Sequence, residues 1–392
     1  MTFPNPQTRL ALGVMTGTSL DGLDAALVSL EGAGLDLRAK LVRGKSASLG
    51  DLAGPLRNAA QQRPMTSGEF ARLAFEFGEL HAKVIGDMIA PNEYLDLIVV
   101  HGQTVFHEPP YSWQLINPAP IQHRFKCQVI TDLRQADLAA GGQGAPITPL
   151  SDWVMFRSSD AARAIINLGG FCNITFLPRT EQRDTSSPTK APPELQQVQG
   201  FDLCPCNQLL DAIAREAFGY AYDEQGRRAS VGRAHDSLVK SLLALFESLQ
   251  SQQRSLGTGD EAMAWVDSNL NAVPPADLAA SACSGIGKAI TESIQAFGLV
   301  HFPIEEIILA GGGTHNATLV KAIRAQANVK VDLSDDSDIP VDCREAMAMA
   351  ILGAMKLDGV PITLPQVTGR TDRSERNITL SLPNKPTNQS IP

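Results

Sequence analysis

Long apolar runs are missing from this sequence. No uninterrupted hydrophobic stretch approaches the roughly 20 residues that a membrane-spanning helix needs. The opening MTFPNPQTRL lacks the basic-then-apolar order of a secretory leader. Positive charge is also scarce: 33 Lys and Arg stand against 42 Asp and Glu, a net charge of −9. That balance excludes nucleic acid and anionic membrane as expected main partners. Of six cysteines, Cys127, Cys172, Cys283 and Cys343 are scattered singly, which suits reduced thiols in a cytoplasmic enzyme better than a disulfide framework. The remaining pair, in CPC (Cys204 and Cys206), has no second Cys or His pair nearby to complete a zinc site. Neither a Walker loop nor a dinucleotide fingerprint occurs.

The chain has 392 residues, 43% hydrophobic and 19% charged, enough to bury a sizeable core in two domains or one lobed unit. Short β-rich runs (LALGVM, AALVSL, LDLIVV, QVIT, RAIINL, EEIILA) alternate with helical patterns, an α/β signature. The helix in TSGEFARLAFEFGELHAKVIGDMI opens with Thr66 and Glu69 spaced as a capping box. CNQLLDAIAREAFG, HDSLVKSLLALFESL, ASACSGIGKAITESIQAFG and REAMAMAILGAMK also read as helices. Two segments look soft: the Pro-rich stretch Glu181 to Gln197, expected as an exposed hairpin-end loop, and a polar tail from Gln366. The opening strand, polar turn and strand recurs as AIINLGGFCNITFL, suggesting two related halves across a cleft.

Five stretches carry chemistry. In GVMTGTSLDGLDAALVSL, a turn rich in Gly, Thr and Ser exposes several donors to one anion, as in a nest. Asp21 and Asp24 can hold Mg²⁺ directly or through water; the alternative is a hairpin whose hydroxyls cap its own backbone. GGFCN offers a second donor set in Gly169, Gly170 and Asn173. IILAGGGTHN places Gly311, Gly312 and Gly313 between a buried strand and a helix beginning near Asn316, where a flat ligand can approach the backbone. HGQT (His101 to Thr104) and the cluster of Asp132, Arg134 and Asp137 follow apolar strands, at the ends where α/β sheets collect ligands. Asp202, in GFDLCPCNQLLDA, is either an N-cap before a helix starting around Cys206 or a general base facing the cleft.

GVMTGTSLDGLDA, HGQT, TDLRQADLAAGGQGAP, INLGGFCNIT, GFD…P…N, AGGGTHN and REAMA occur in the order seen in anhydro-N-acetylmuramic acid kinases, of the sugar kinase, Hsp70 and actin superfamily. The resemblance spans Leu10 to about Leu357, and GTSLDG, HGQT and AAGGQGAP together are its specific part. It implies a two-lobed ribonuclease-H-like fold around a central cleft for ATP and sugar. The expected N-terminal lobe is 1–142 plus 345–365, the C-terminal lobe 143–344, and the tail 366–392. Gly17, Thr18, Ser19, Asp21 and Gly22 would form the first phosphate hairpin, Gly169, Gly170 and Asn173 the second, and Gly311, Gly312, Gly313 and Asn316 the adenosine motif. Asp21 and Asp24 would serve Mg²⁺. His101, Thr104, Arg134, Gln143 and Glu345 would contact the sugar, with Arg134 suited to a lactyl carboxylate, and Asp202 matches the family's catalytic base. The implied reaction opens the 1,6-anhydro ring of 1,6-anhydro-N-acetylmuramic acid and phosphorylates O6, giving N-acetylmuramic acid 6-phosphate and ADP. The resemblance also implies a homodimer.

The sequence departs from the family pattern around the base. Leu203 replaces a threonine, and Cys204 and Cys206 replace glycines. A Cβ where a glycine needs positive φ costs roughly 1–2 kcal/mol, and the thiols would crowd a sugar beside them. QLINPAP stands where the family more often has a carboxylate, so Ile116 and Asn117 lose one. Two other readings follow: a kinase for another anhydrosugar such as levoglucosan, and a degenerate nucleotide-binding protein without sugar chemistry.

Overall fold

The computed structural model describes residues 8–17, 20, 22–181, 191–251 and 262–371. The opening run forms β1 (Arg9–Met15), antiparallel to β2 (Leu23–Glu31), which pairs with β3 (Arg38–Ala47). After α1 (Ala53–Ala60) and α2 (Ser67–Gly86), β4 (Leu97–His101) returns parallel to β1. A separate hairpin, β5 (Gln103–Glu108) and β6 (Tyr111–Leu115), and α3 (Ala119–Phe125) lead to β7 (Gln128–Thr131), parallel to β4. The sheet order is β3-β2-β1-β4-β7.

Past α4 (Gln135–Ala139) and α5 (Pro149–Phe156), the plan repeats. β8 (Arg163–Leu168), β9 (Phe171–Leu177) and β10 (Gln199–Pro205) run antiparallel. Then come α6 (Asn207–Ile213), α7 (Asp236–Ser251), α8 (Met263–Asn269) and α9 (Pro275–Val300). β11 (Glu306–Ala310) joins parallel to β8, and α10 (Ala317–Gln326) leads to β12 (Lys330–Leu333), parallel to β11. The order β10-β9-β8-β11-β12 matches the first sheet strand for strand. This is the ribonuclease-H arrangement twice over, the two-lobed actin-like fold, and the echo between the two hairpins is part of that duplication.

The central strands β1, β4, β8 and β11 are covered on both faces and read as nearly continuous apolar runs, whereas the edge strand β3 alternates toward solvent. In β1, Leu12 and Val14 face a core shared with α1, α2 and α3, while Ala11 faces the centre of the molecule. In β8, Ala164, Ile166 and Leu168 face α6 to α10, while Ile165 faces the centre. The central layer between the sheets holds α5 and α11 (Arg344–Leu357). Close approach there depends on small residues: a Cβ on Gly13 would lie 1.9 Å from the Ala346 carbonyl oxygen, and one on Gly353 would lie 2.3 Å from Val99 Cγ2. The expected capping box is present, Thr66 and Glu69 each bonding the other's backbone N–H.

The soft segments differ from expectation where side chains find partners. A short helix, α12 (Pro365–Thr368), opens the segment read as tail, and Thr368 and Arg370 are buried against Asp137. Residues 372–392 lie outside the described residues. The end of the Pro-rich stretch is also packed, with a 3₁₀ turn over Pro193–Gln197 and Leu195 buried, while 182–190 lie outside the described residues.

Candidate active site

Arg134 sits at the start of α4 and is held from two sides. Its Nε donates to His101 Nε2 at 2.9 Å, and its Nη1 donates to the Gly144 carbonyl at 2.7 Å. The second contact explains the AAGGQGAP turn. The buried Asp137 carboxylate accepts from Gly144 N (2.8 Å) and from the Thr368 hydroxyl (2.7 Å), and so fixes the turn that presents the Gly144 carbonyl. A Cβ on Gly142 would lie 2.2 Å from Asp137 Oδ2, and Gly144 has φ +69, so glycines are required at both. Because His101 Nε2 accepts, its proton resides on Nδ1, and burial together with the adjacent guanidinium holds the ring's pKa well below its usual value. Thr104 lies on β5, where Gln114 Nε2 reaches its hydroxyl at 3.5 Å. Gln143 is exposed and tied in by its backbone N–H to the Thr368 carbonyl at 2.8 Å.

Across the cleft, strand register builds a row. Asn167 on β8 is opposite Asn173 on β9, which is opposite Asp202 on β10. Asp202 is therefore a strand residue, not an N-cap: helix α6 starts only at Asn207. Its Oδ1 accepts from Asn173 Nδ2. Glu345, half-buried in the first turn of α11, accepts from Asn167 Nδ2 at 3.5 Å. Burial raises the Asp202 pKa, while the Asn173 amide and the Arg134 guanidinium oppose that rise. Burial likewise lowers the Arg134 pKa, and Asp202 and Glu345 lead the carboxylates that pull it back up. Arg134, Asp202 and Glu345 are thus one electrostatic cluster, assembled from α4, β10 and α11. Asn167 was missed in the sequence, where its signal was a single polar residue inside RAIINL.

The glycine turns are partly consumed by the fold. The carbonyls of Gly169 and Gly170 accept from the N–H groups of Cys206, Asn207 and Gln208, satisfying the start of α6. Gly311 has φ +84, and a Cβ there would lie 2.7 Å from Asn167 Oδ1; one on Gly313 would lie 2.7 Å from Leu168 Cβ. Gly312 differs, with nothing within 4 Å of where its Cβ would be. Asn316 caps α10, its Oδ1 accepting from Leu319 N at 3.0 Å. In the first hairpin, Gly17 and Gly22 are half-buried, and the Oγ1 of buried Thr16 has no partner among the described residues. Asp24, on β2, accepts from the Ser46 hydroxyl at 2.5 Å. Thr18, Ser19 and Asp21 lie outside the described residues. Among the described residues, no cluster of three or more His, Cys, Asp or Glu could hold a metal.

The two cysteines beside the base need no glycine-like backbone. Neither has positive φ, and both thiols are fully buried in the α6–α10 core with Cys172 and Cys283. The hydrogen bond with Cys204, followed by burial, pushes the Cys172 thiol well above its usual range, and burial does the same to Cys206. The expected crowding of a sugar is therefore not seen: a β-bulge at Leu203 shifts the register, so Asp202 pairs with Asn173 and Cys204 with Cys172, and Cys204 turns to the opposite face of the sheet, into the core.

Two repeated sheets with a half-buried carboxylate–guanidinium cluster between them define a two-lobed protein of the actin-like class. The chain matches the family described as "Anhydro-N-acetylmuramic acid kinase" over residues 9–378. It is 32% identical to the anhydro-N-acetylmuramic acid kinase of Salinibacter ruber, covering 93% of this chain and 94% of that one. It is 29% identical to that of Bacillus cereus, over 91% and 95%. Among solved structures, an activator of 2-hydroxyisocaproyl-CoA dehydratase from Clostridium difficile with bound ADPNP aligns over 89% of this chain and 96% of its own, with TM-score 0.45 and 14% identity. The chain belongs to the anhydro-N-acetylmuramic acid kinase family, and with it is an ATP-dependent sugar kinase.

Proposed function

We propose that the protein opens 1,6-anhydro-N-acetylmuramic acid with water and phosphorylates O6, yielding N-acetylmuramic acid 6-phosphate and ADP. The observation that carries this reading is the convergence of Asp202, Arg134 and Glu345 between the two sheets. Asp202 Oδ1 is engaged by Asn173, leaving Oδ2 to take a proton from the water that attacks the anomeric carbon. As that C–O bond forms, the bond from the anomeric carbon to O6 breaks, and O6 becomes the acceptor for the phosphoryl group. Arg134 uses Nε and one Nη1 hydrogen on His101 and Gly144, which leaves Nη2 and the second Nη1 hydrogen for the lactyl carboxylate. His101, Thr104, Gln143 and Glu345 complete the sugar side.

In this reading Gly17, Thr18, Ser19, Gly22 and the turns at Gly169–Gly170 and Gly311–Gly313 would hold the nucleotide. The fit rests on the Thr16 hydroxyl, which has no partner among the described residues, and on the open space at Gly312, where polyphosphate and adenosine would meet backbone rather than side chain. Mg²⁺, served by Asp21 and Asp24, would neutralise charge on the transferring phosphoryl group. The reading includes a cytoplasmic homodimer, with residues 1–142 plus 345–365 and 143–344 as the lobes and no part for nucleic acid or membrane.

The test is ADP release with Mg-ATP and 1,6-anhydro-N-acetylmuramic acid, levoglucosan or no sugar. Turnover is expected with the muramic compound alone and should fall about 10²–10⁴-fold in Asp202→Asn. Turnover with levoglucosan alone would move the substrate to another anhydrosugar; no sugar dependence at all would end the kinase reading.

A further inference from the structure

Asn173 lies in the motif that resembles a phosphate hairpin, yet its amide is directed along the sheet rather than toward the turn. Its Nδ2 donates to Asp202 Oδ1, and its Oδ1 accepts from Asn167 Nδ2 at 3.4 Å. These contacts follow from register, since Asn167, Asn173 and Asp202 occupy one cross-strand row on adjacent strands. The row extends to Ala310 on β11, and the next residue, Gly311, leaves room for Asn167 Oδ1.

We propose that Asn173, backed by Asn167, is a positioning residue for Asp202, holding one carboxylate oxygen so that the other faces the reacting water. This inference rests on the reading of Asp202 as the base. The amide has only one useful orientation. Flipped, it would set Oδ1 against the carboxylate and Nδ2 against the Asn167 Nδ2–H donor, two repulsive contacts in place of two hydrogen bonds. Asn167 in turn spans from Asn173 to Glu345 at 3.5 Å, so the two carboxylates of the site are connected through two amides.

The charged and titratable groups around Asp202 are few. Arg134 faces it from the start of α4, Glu345 stands at the other end of the amide row on α11, and His101 is neutral behind Arg134. Cys172 and Cys204 flank it within the sheet, and the Cys172 thiol stays protonated. The sign follows directly. An N–H donated to a carboxylate favours the ionised form, so removing it raises the pKa of the base and moves the acid limb of activity to higher pH.

The experiment follows the Asp202 carboxyl by NMR in protein labelled with ¹³C-carboxyl aspartate, assigned by difference from Asp202→Asn, beside the pH profile of kcat/KM. In Asn173→Ala both the carboxyl titration and the acid limb are expected to move to higher pH, with kcat/KM at neutral pH down about 10- to 100-fold, the worth of one hydrogen bond to a charged group. Asn173→Ser retains a donor and should recover part of both shifts, and Asn167→Ala should move them the same way by less. A carboxyl that titrates at its wild-type position in Asn173→Ala overturns the proposal, whatever happens to the rate. If wild-type protein shows no sugar-dependent turnover, the kinase reading fails, while the carboxyl titration still decides whether Asn173 controls Asp202.

Discussion

Asp137 is not among the residues assigned to the sugar, yet the position of Arg134 depends on it. The carboxylate holds Gly144, and the Gly144 carbonyl holds the guanidinium. Gly142→Ala should therefore act at a distance, because its Cβ would stand 2.2 Å from Asp137 Oδ2 and force that buried carboxylate aside. We expect a loss of about 1–3 kcal/mol of stability from overpacking and a rise in KM for the sugar of about 10-fold or more as Arg134 shifts. Thermal melts and initial rates would check this against Gly54→Ala, where nothing lies within 4 Å of the new Cβ. Arg134 and Asp202 are legible in the sequence because each sits in a short polar motif after an apolar strand. The hold on Asp137 is not, because its partner Thr368 lies 231 residues away. Asn167 was hidden for another reason: one asparagine in an apolar run reads as a tolerated polar residue until register shows what stands opposite.

Elements were legible where their signals are local. The capping box of α2 needs only Thr66 and Glu69, and the structure has it. What α2 buries is less visible. His81 is fully buried against Phe77, its Nδ1–H donating to the Phe77 carbonyl at 2.7 Å, and burial lowers its pKa to about 4. Burial does the same at His107, also to about 4, and takes His101 well below its usual value. A histidine depressed in the folded state stays neutral while its unfolded counterpart, with a pKa near 6.5, takes up a proton. Between these two values the unfolded chain binds more protons, so stability falls as pH drops from about 6.5 toward 4. Denaturant midpoints at steps across that window should show the decline, and His81→Leu should make it shallower. An unchanged slope in that variant would mean that His81 is charged in the folded protein.

At the scale of the whole molecule, the joint between the repeats is the least local feature. Helix α11 arrives from the end of the chain and lies against β1, β2 and β4, yet its first residue bonds an element beside the other sheet. Arg344 donates through Nε and Nη2 to Asp152 on α5, and the same carboxylate accepts the Thr175 hydroxyl of β9 at 2.8 Å. Asp152 is 0% and Arg344 2% exposed, so neither charge has water to fall back on. Removing one partner leaves the other buried and uncompensated, which costs about 3–5 kcal/mol, whereas replacing both by apolar groups of similar volume is often neutral. Arg344→Met alone should therefore lower the denaturant midpoint sharply, and Arg344→Met with Asp152→Leu should recover most of that loss. Activity should separate the two roles of the joint. Glu345 follows Arg344 in the chain, and its carboxylate belongs to the site cluster, so the angle at which α11 begins sets where that carboxylate stands. The double variant, restored in stability, should still turn over sugar more slowly than wild type, because packed methyl groups hold α11 in place without the directional grip of two hydrogen bonds on its first residue. Equal rates in the stable double variant and the wild type would mean that packing around α11 suffices to place Glu345.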